Sequence, residues 1–129
     1  MKALVLDESR VRFLVARKED GLWELPGGGL DWGMEPSEEL RREIREEMGL
    51  KIVQIEQHPS YFLTDQGGIP GGWWRGNVVY ETVLESLDFT PSDECVEVHF
   101  VTAEEAKSLD PQLGNIRMLG GLFDPVRHV

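Results

Sequence analysis

Residues 36–49 predict one amphipathic helix with clearly marked ends, and this element constrains the fold more than any other part of the chain. Pro36 suits the first helical position, Glu35 or Ser37 can cap it, and Gly49 is a typical C-terminal stop. An apolar stripe at i, i+4 and i+8 must pack against another layer. The stripe consists of Leu40, Ile44 and Met48.

The rest of the chain predicts short strands and two minor helices. The two apolar runs at the start flank a polar turn, which is typical of a hairpin, and the glycine-rich residues 66–72 predict the tip of a longer hairpin. One long helix, shorter helices and many strands indicate an α+β domain layered as α/β/α. The predicted strands are Ala3–Leu6, Val11–Ala16, Leu22–Leu25, Ile52–Gln57, Tyr61–Thr64, Trp73–Leu87 and Cys95–Thr102; the minor helices are Ala103–Leu109 and a weak one near Asn115–Leu122, which glycines interrupt.

Length and composition narrow the class of protein. A chain of 129 residues fits one domain spanning residues 1–129. The net charge of −11 argues against a nucleic-acid partner, and the short apolar runs argue against a membrane span. The single cysteine, Cys95, cannot form an internal disulfide, which favours a cytoplasmic location and a small buried side chain at that position.

Three carboxylates of the predicted helix share one face. Glu43, Glu46 and Glu47 stand at i, i+3 and i+4, where like charges repel and raise a carboxylate pKa. Most acidic runs are simply solvated surfaces. Here a glycine loop at residues 27–29 precedes the helix and lets backbone approach a ligand closely. A hard divalent cation with oxygen ligands, Mg²⁺ or alternatively Mn²⁺, would relieve the repulsion.

The same residues resemble the Nudix box, G-x5-E-x7-R-E-U-x-E-E-x-G-U, over residues 28–50. The resemblance implies the Nudix α/β/α sandwich with a mixed sheet. The glutamate expected at position 34 is Met34, with Glu35 beside it. In the family that glutamate supports the loop and the box arginine. Aligned on Gly28, the chain supplies Arg42, Glu43, Ile44, Glu46, Glu47, Gly49 and Leu50.

The resemblance also implies roles for individual residues. Arg42 is expected to orient Glu43 by a charge-assisted hydrogen bond. The general base stays open among Glu46, Glu47 and a carboxylate outside the box. For that outside carboxylate Glu97 is preferred to Glu94, against the alternative of a surface-facing glutamate in a strand. The implied catalytic residues are Arg42, Glu43, Glu46 and Glu47, and the implied metal ligands are the Gly27 carbonyl, Glu43, Glu46, Glu47 and Glu97.

The resemblance implies a Mg²⁺-dependent pyrophosphohydrolase that cleaves a nucleoside diphosphate linked to another moiety, with nucleoside triphosphates slightly favoured. Gly28, Trp74 and Arg75 are the candidate substrate-binding residues. Gly28 lies in the glycine loop that lets backbone approach a ligand, and the aromatic and guanidinium groups of Trp74 and Arg75 suit nucleotides. Packing within the core or hairpin is the default role for Trp73 and Trp74. The expected partner is a small nucleotide, the expected assembly a monomer or homodimer. The alternatives are a non-catalytic nucleotide sensor and an RNA-end processing enzyme, for which no basic track is visible.

Overall fold

A computed structural model describes residues 1–66 and 71–129. The tip predicted at residues 66–72 therefore lies partly outside the described residues. The strands are β1 (Lys2–Leu4), β2 (Arg12–Arg17), β3 (Trp23–Glu24), β4 (Ile52–Ile55), β5 (Tyr61–Asp65), β6 (Arg75–Leu84) and β7 (Glu97–Thr102), and the helices are α1 (Pro36–Met48), α2 (Ala103–Ser108), α3 (Gly114–Leu122) and a 3-10 turn at Pro125–His128.

The strands form two small sheets. In the first, β6 pairs with β1 in parallel and with β4 and β5 antiparallel. In the second, β2 lies between β3 and β7, and both pairings are antiparallel. One parallel pairing among antiparallel ones makes the strand arrangement mixed, as predicted.

Alternating side chains in the strands build a core on each face of the sheets. In β2, Phe13 and Val15 belong to one cluster, together with buried residues of α2 and α3. Leu14 and Ala16 belong to the other cluster, together with the apolar stripe of α1. Because successive strand residues point to opposite faces, both faces are covered by helix. The three-layer α/β/α prediction is thus confirmed.

Helix α1 has the predicted ends. Glu35 is the N-cap, and its side chain accepts a hydrogen bond from the Ser37 amide at 3.4 Å. Gly49 closes the helix in the left-handed conformation, with its N–H donating to the Arg45 carbonyl. The stripe of Leu40, Ile44 and Met48 is fully buried. The apolar stripe is thereby packed into the core, and most of the charged residues of α1 lie outside it.

One prediction of secondary structure needs correction, and one helix that was predicted to be weak is well formed. The strands β1 and β2 keep a hairpin-like turn, with an antiparallel bridge between Leu6 and Phe13, but they pair with partners in different sheets. The C-terminal helix α3 forms despite its glycines because Ile116 and Leu119 are fully buried against the core. Packing of its apolar face outweighs the low helix propensity of glycine.

None of the helices in the described part of the chain has the length and apolar character of a membrane span.

Candidate active site

Three carboxylates meet in front of the glycine loop. Glu43 and Glu47 come from adjacent turns of α1, and Glu94 comes from the loop before β7. Each offers one oxygen, and these oxygens all lie within 4.8 Å of one another. Glu47 is buried, Glu43 is half-buried and Glu94 is exposed. The cluster therefore runs from the interior to the surface and is accessible from one side.

Two hydrogen bonds fix the loop that carries Glu94. The Ser92 hydroxyl donates to the Glu47 backbone carbonyl at 2.6 Å, and the Thr90 amide donates to the Met48 carbonyl at 2.8 Å. These carbonyls belong to the last turn of α1, where backbone acceptors have no partner within the helix. The loop satisfies them, and in doing so it brings Glu94 to the helix carboxylates.

The glycine loop lies directly against the same carboxylates. The Gly27 amide donates to Glu47 Oε2 at 3.3 Å. A Cβ placed on Gly28 would lie 2.5 Å from the Glu43 carboxyl carbon, and one on Gly27 would lie 2.4 Å from the Met1 carbonyl oxygen. Only glycine permits such close approach at either position. The loop glycines therefore make room for the carboxylate and for β1.

Burial disfavours the ionised forms of two of the carboxylates. It raises the pKa of Glu47 to about 8, and it also raises the pKa of Glu43. The nearby Lys2 ammonium and the Gly27 amide act in the opposite direction on Glu47, and neighbouring Glu24 and Glu94 add to the rise. A divalent cation bound among these acids would further favour their charged forms.

Arg42 contacts Glu43 as expected. Its Nη2 donates to Glu43 Oε1 at 3.0 Å and to Glu39 Oε2 at 2.8 Å, and its Nη1 donates to both oxygens of Glu46 at 3.0 Å. These carboxylates hold the pKa of Arg42 above its ordinary value, chiefly through the bonds to Glu39. The guanidinium is therefore a fixed positive group at the edge of the carboxylate cluster.

Two expected metal ligands lie outside the cluster. Glu46 is exposed, and its carboxylate is occupied by Arg42. Glu97 is on β7 opposite Arg17 of β2, where it accepts from Arg17 Nε at 2.8 Å and contacts His99. The Arg17 hydrogen bond lowers the pKa of Glu97. The expected order of the two outside carboxylates is thus reversed in the geometry, since Glu94 is near the helix and Glu97 is not.

A cavity of about 640 Å³ opens beside the cluster. Two charged residues that the sequence analysis did not single out, Lys2 and Glu24, lie in its wall. Lys2 is buried, with its Nζ 3.4 Å from the Gly27 carbonyl and 3.7 Å from Glu24 Oε2. The available signal was a lysine at the start of an apolar strand. The polar lining of the cavity includes Lys2, Glu24, Glu43, Glu47, Arg75, Asn77, Tyr80 and Glu94.

Of the expected substrate residues, Gly28 lies in the glycine loop, Trp74 precedes β6 and Arg75 begins it. Arg75 lines the cavity and donates to Asp65 Oδ1 at 2.9 Å, while Asn77 reaches the other oxygen of Asp65 at 3.4 Å. Trp73 and Trp74 are 92% and 70% exposed. The default expectation that this tryptophan pair packs within the core or hairpin is therefore wrong, because both side chains are largely exposed and the pair precedes β6.

Position 34 carries no carboxylate, and its neighbour does not replace it. Met34 is exposed, and its amide donates to the Asp31 carbonyl at 3.1 Å. The Glu35 carboxylate accepts from the Ser37 hydroxyl at 2.6 Å as part of the helix cap. Glu35 is therefore occupied at the start of α1 and does not pair with Arg42 in the structure.

Comparisons with known proteins agree on one family. The NUDIX domain matches residues 2–119. A nucleoside triphosphatase, NudI, from Enterobacter sp. (strain 638) is 30% identical over 96 residues, which cover 70% of this chain and 68% of that protein. A putative 8-oxo-dGTP diphosphatase from Bacillus subtilis (strain 168) is 50% identical over 78 residues, covering 54% of this chain and only 52% of its own length.

Solved structures show the same fold. The crystal structure of a MutT protein from Methanosarcina mazei Go1 superposes with a TM-score of 0.69 at 22% identity, over 99% of this chain and 93% of that one. At this identity the superposition supports the fold, while the matched domain and the NudI relative establish the family. The chain is a member of the Nudix hydrolase family.

Proposed function

We propose that the protein hydrolyses the diphosphate bond of a nucleoside diphosphate linked to another moiety, in a reaction that depends on a divalent cation. The observation that carries this proposal is the convergence of Glu43, Glu47 and Glu94 beside a cavity of about 640 Å³. A cavity of this size suits a nucleotide-sized ligand. The NudI relative is named a nucleoside triphosphatase and the Bacillus relative a putative diphosphatase, and both names support the same reaction class.

The donor set fits Mg²⁺, with Mn²⁺ as the alternative. All three side chains offer oxygen ligands, which these hard cations prefer. Burial raises the pKa of Glu47 and Glu43, so a bound cation would favour the charged forms that burial disfavours. Glu43, Glu47 and Glu94 would hold the ion, with the Gly27 carbonyl as a further oxygen ligand. When bound, the cation supplies charge neutralisation for the diphosphate and activation of water.

The surrounding groups organise these ligands. The Gly27 amide fixes Glu47 by hydrogen bonding, and Arg42 fixes Glu43. Such partners of metal ligands set the orientation of the carboxylate oxygens. The absence of a side chain at Gly28 leaves the Glu43 carboxylate in place. In this proposal, the general base that accepts the proton of the attacking water is Glu47 or Glu94. Glu46 is not the base, because it is paired with Arg42.

The substrate occupies the β6 side of the cavity in this proposal. Arg75 provides a positive group for phosphate or for a base carbonyl, and Trp74 provides an exposed aromatic face for stacking. An acidic protein of net charge −11 would otherwise repel a polyphosphate. We favour nucleoside triphosphates as substrates because the names of both relatives described above refer to substrates of this class.

A substrate screen tests the proposal. Nucleoside triphosphates, nucleotide sugars and dinucleoside polyphosphates are incubated with the protein and Mg²⁺ or Mn²⁺, with EDTA and the Glu47→Gln variant as controls. We expect hydrolysis of at least one class, with release of a nucleoside monophosphate, and its loss in both controls. Absence of hydrolysis in every class, or equal hydrolysis by Glu47→Gln, would contradict the proposal, and the former would favour a nucleotide sensor.

A further inference from the structure

Glu39 is a buried charge that the metal cluster itself does not use. It lies on α1, only 2% exposed, and it is the only buried glutamate besides Glu47 among residues 1–66 and 71–129. Carboxylates are rarely buried so fully unless a partner compensates the charge. Its position one turn before Glu43 places it on the side of the helix that faces the site.

The partner of Glu39 is Arg42, held by two hydrogen bonds. Arg42 Nε donates to Glu39 Oε1 at 3.1 Å, and Arg42 Nη2 donates to Glu39 Oε2 at 2.8 Å. This fork-to-fork contact fixes both the position and the plane of the guanidinium. The Arg42 bonds hold the pKa of the Glu39 carboxyl below its usual range, so Glu39 is ionised.

Two exposed carboxylates near Arg42 offer weaker anchorage. Glu46 is 58% exposed, and Asp31 is 76% exposed with an oxygen 3.7 Å from Arg42 Nη2. Exposed ion pairs of this kind contribute little, because water screens them and the side chains lose rotational freedom. Compared with Glu46 and Asp31, Glu39 is therefore the partner that holds the Arg42 guanidinium in place.

Arg42 passes this constraint on to the cation site. The Nη2 that binds Glu39 also donates to Glu43 Oε1 at 3.0 Å. A shift of the guanidinium would move or release one oxygen of Glu43, which belongs to the carboxylate cluster. We infer that Glu39 is a positioning residue, which pins Arg42 so that Arg42 holds Glu43 ready for the cation. This inference rests on the proposed function. It also explains how the chain supports Arg42 although position 34 is an exposed methionine.

Mn²⁺ binding to the purified protein tests this inference without any substrate. Free Mn²⁺ is measured by electron paramagnetic resonance for the native protein and for Glu39→Gln, with Glu38→Gln as the matched control from an exposed neighbouring position. We expect Glu39→Gln to weaken Mn²⁺ binding by up to about tenfold, the lower end of the effect of removing a direct partner of a metal ligand, because Glu39 acts through Arg42. Glu38→Gln is expected to bind as the native protein does.

A double-mutant cycle separates positioning from general destabilisation. In a Glu43→Gln background, Glu39→Gln is expected to cause little further loss, because Glu39 acts through Glu43. Thermal melting in EDTA reports whether each variant folds. If Glu39→Gln does not fold, Glu39→Asp replaces it in the test. Aspartate retracts the carboxylate from Arg42, so this variant is also expected to weaken Mn²⁺ binding. Equal Mn²⁺ binding by Glu39→Gln and Glu38→Gln, or an undiminished loss in the Glu43→Gln background, would overturn the inference. Since Mn²⁺ binding needs no hydrolysis, a failed substrate screen leaves this test intact.

Discussion

At the scale of single residues, the site depends on glycines, which have no side chain, as well as on charged residues. Gly28 faces the Glu43 carboxylate so closely that a Cβ would overlap it, whereas a Cβ on the next residue, Gly29, would meet nothing within 4 Å. Neither position has a left-handed backbone that would itself exclude alanine. The two glycines therefore differ in what surrounds them rather than in their conformation.

Gly28→Ala is expected to abolish most Mg²⁺-dependent hydrolysis while leaving the thermal midpoint nearly unchanged. The added methyl group displaces the end of a flexible side chain, which is inexpensive for the fold but removes Glu43 from the cluster. Gly29→Ala is the matched control and should keep native activity. Rates and melting curves of the two variants check this prediction. A Gly28→Ala enzyme as active as Gly29→Ala would show that Glu43 need not lie where the structure places it.

At the scale of elements, local pattern determined what could be predicted. The ends of α1 and its buried stripe follow from Pro36, Gly49 and three apolar residues at helical spacing, and all are confirmed. Such signals lie within one or two turns of the chain. The resemblance to the Nudix box added the prediction that Glu43 and Glu47 belong to one site.

The position of the outside carboxylate could not be predicted in the same way. Glu94 reaches the cluster because Ser92 and Thr90 dock their loop on the end of α1, a contact between parts of the chain about 45 residues apart. Glu97 is drawn away by Arg17, its neighbour across two paired strands. Neither contact leaves a periodic trace in the sequence. The pairing of Arg17 with Glu97 depends on the register of β2 and β7.

At the scale of the whole molecule, the buried Glu47 links stability to pH. Its pKa is about 8 in the folded protein against an ordinary value of 4.5, so the folded state retains a proton that the unfolded state releases. The stability contributed by this proton is complete below pH about 4.5 and is lost as pH rises toward about 8. The charged and titratable groups around Glu47 include Lys2, Glu24, Glu43, Glu94 and the Cys95 thiol.

The metal-free protein should therefore lose stability between about pH 4.5 and pH 8 to a greater extent than Glu47→Gln does. Glutamine cannot ionise, so the difference between the two proteins isolates the Glu47 contribution from that of other groups. Denaturant unfolding in EDTA across this pH range measures it. Added Mn²⁺ should oppose the trend in the native protein only, because the cation binds the ionised carboxylate. Parallel pH profiles of the two proteins in EDTA would contradict the prediction.

Glu43, Glu47 and Glu94 are proposed to form the cation site together, and a comparison of Glu94→Gln with Glu97→Gln tests this set of ligands. Both variants remove one charge from the same stretch of the chain, so Glu97→Gln is the matched control. Mn²⁺ dissociation constants and Mg²⁺-dependent hydrolysis are measured for each. We predict that Glu94→Gln weakens Mn²⁺ binding and lowers turnover while Glu97→Gln stays near the native values. Loss of binding in Glu97→Gln, with Glu94→Gln unaffected, would contradict the site described here.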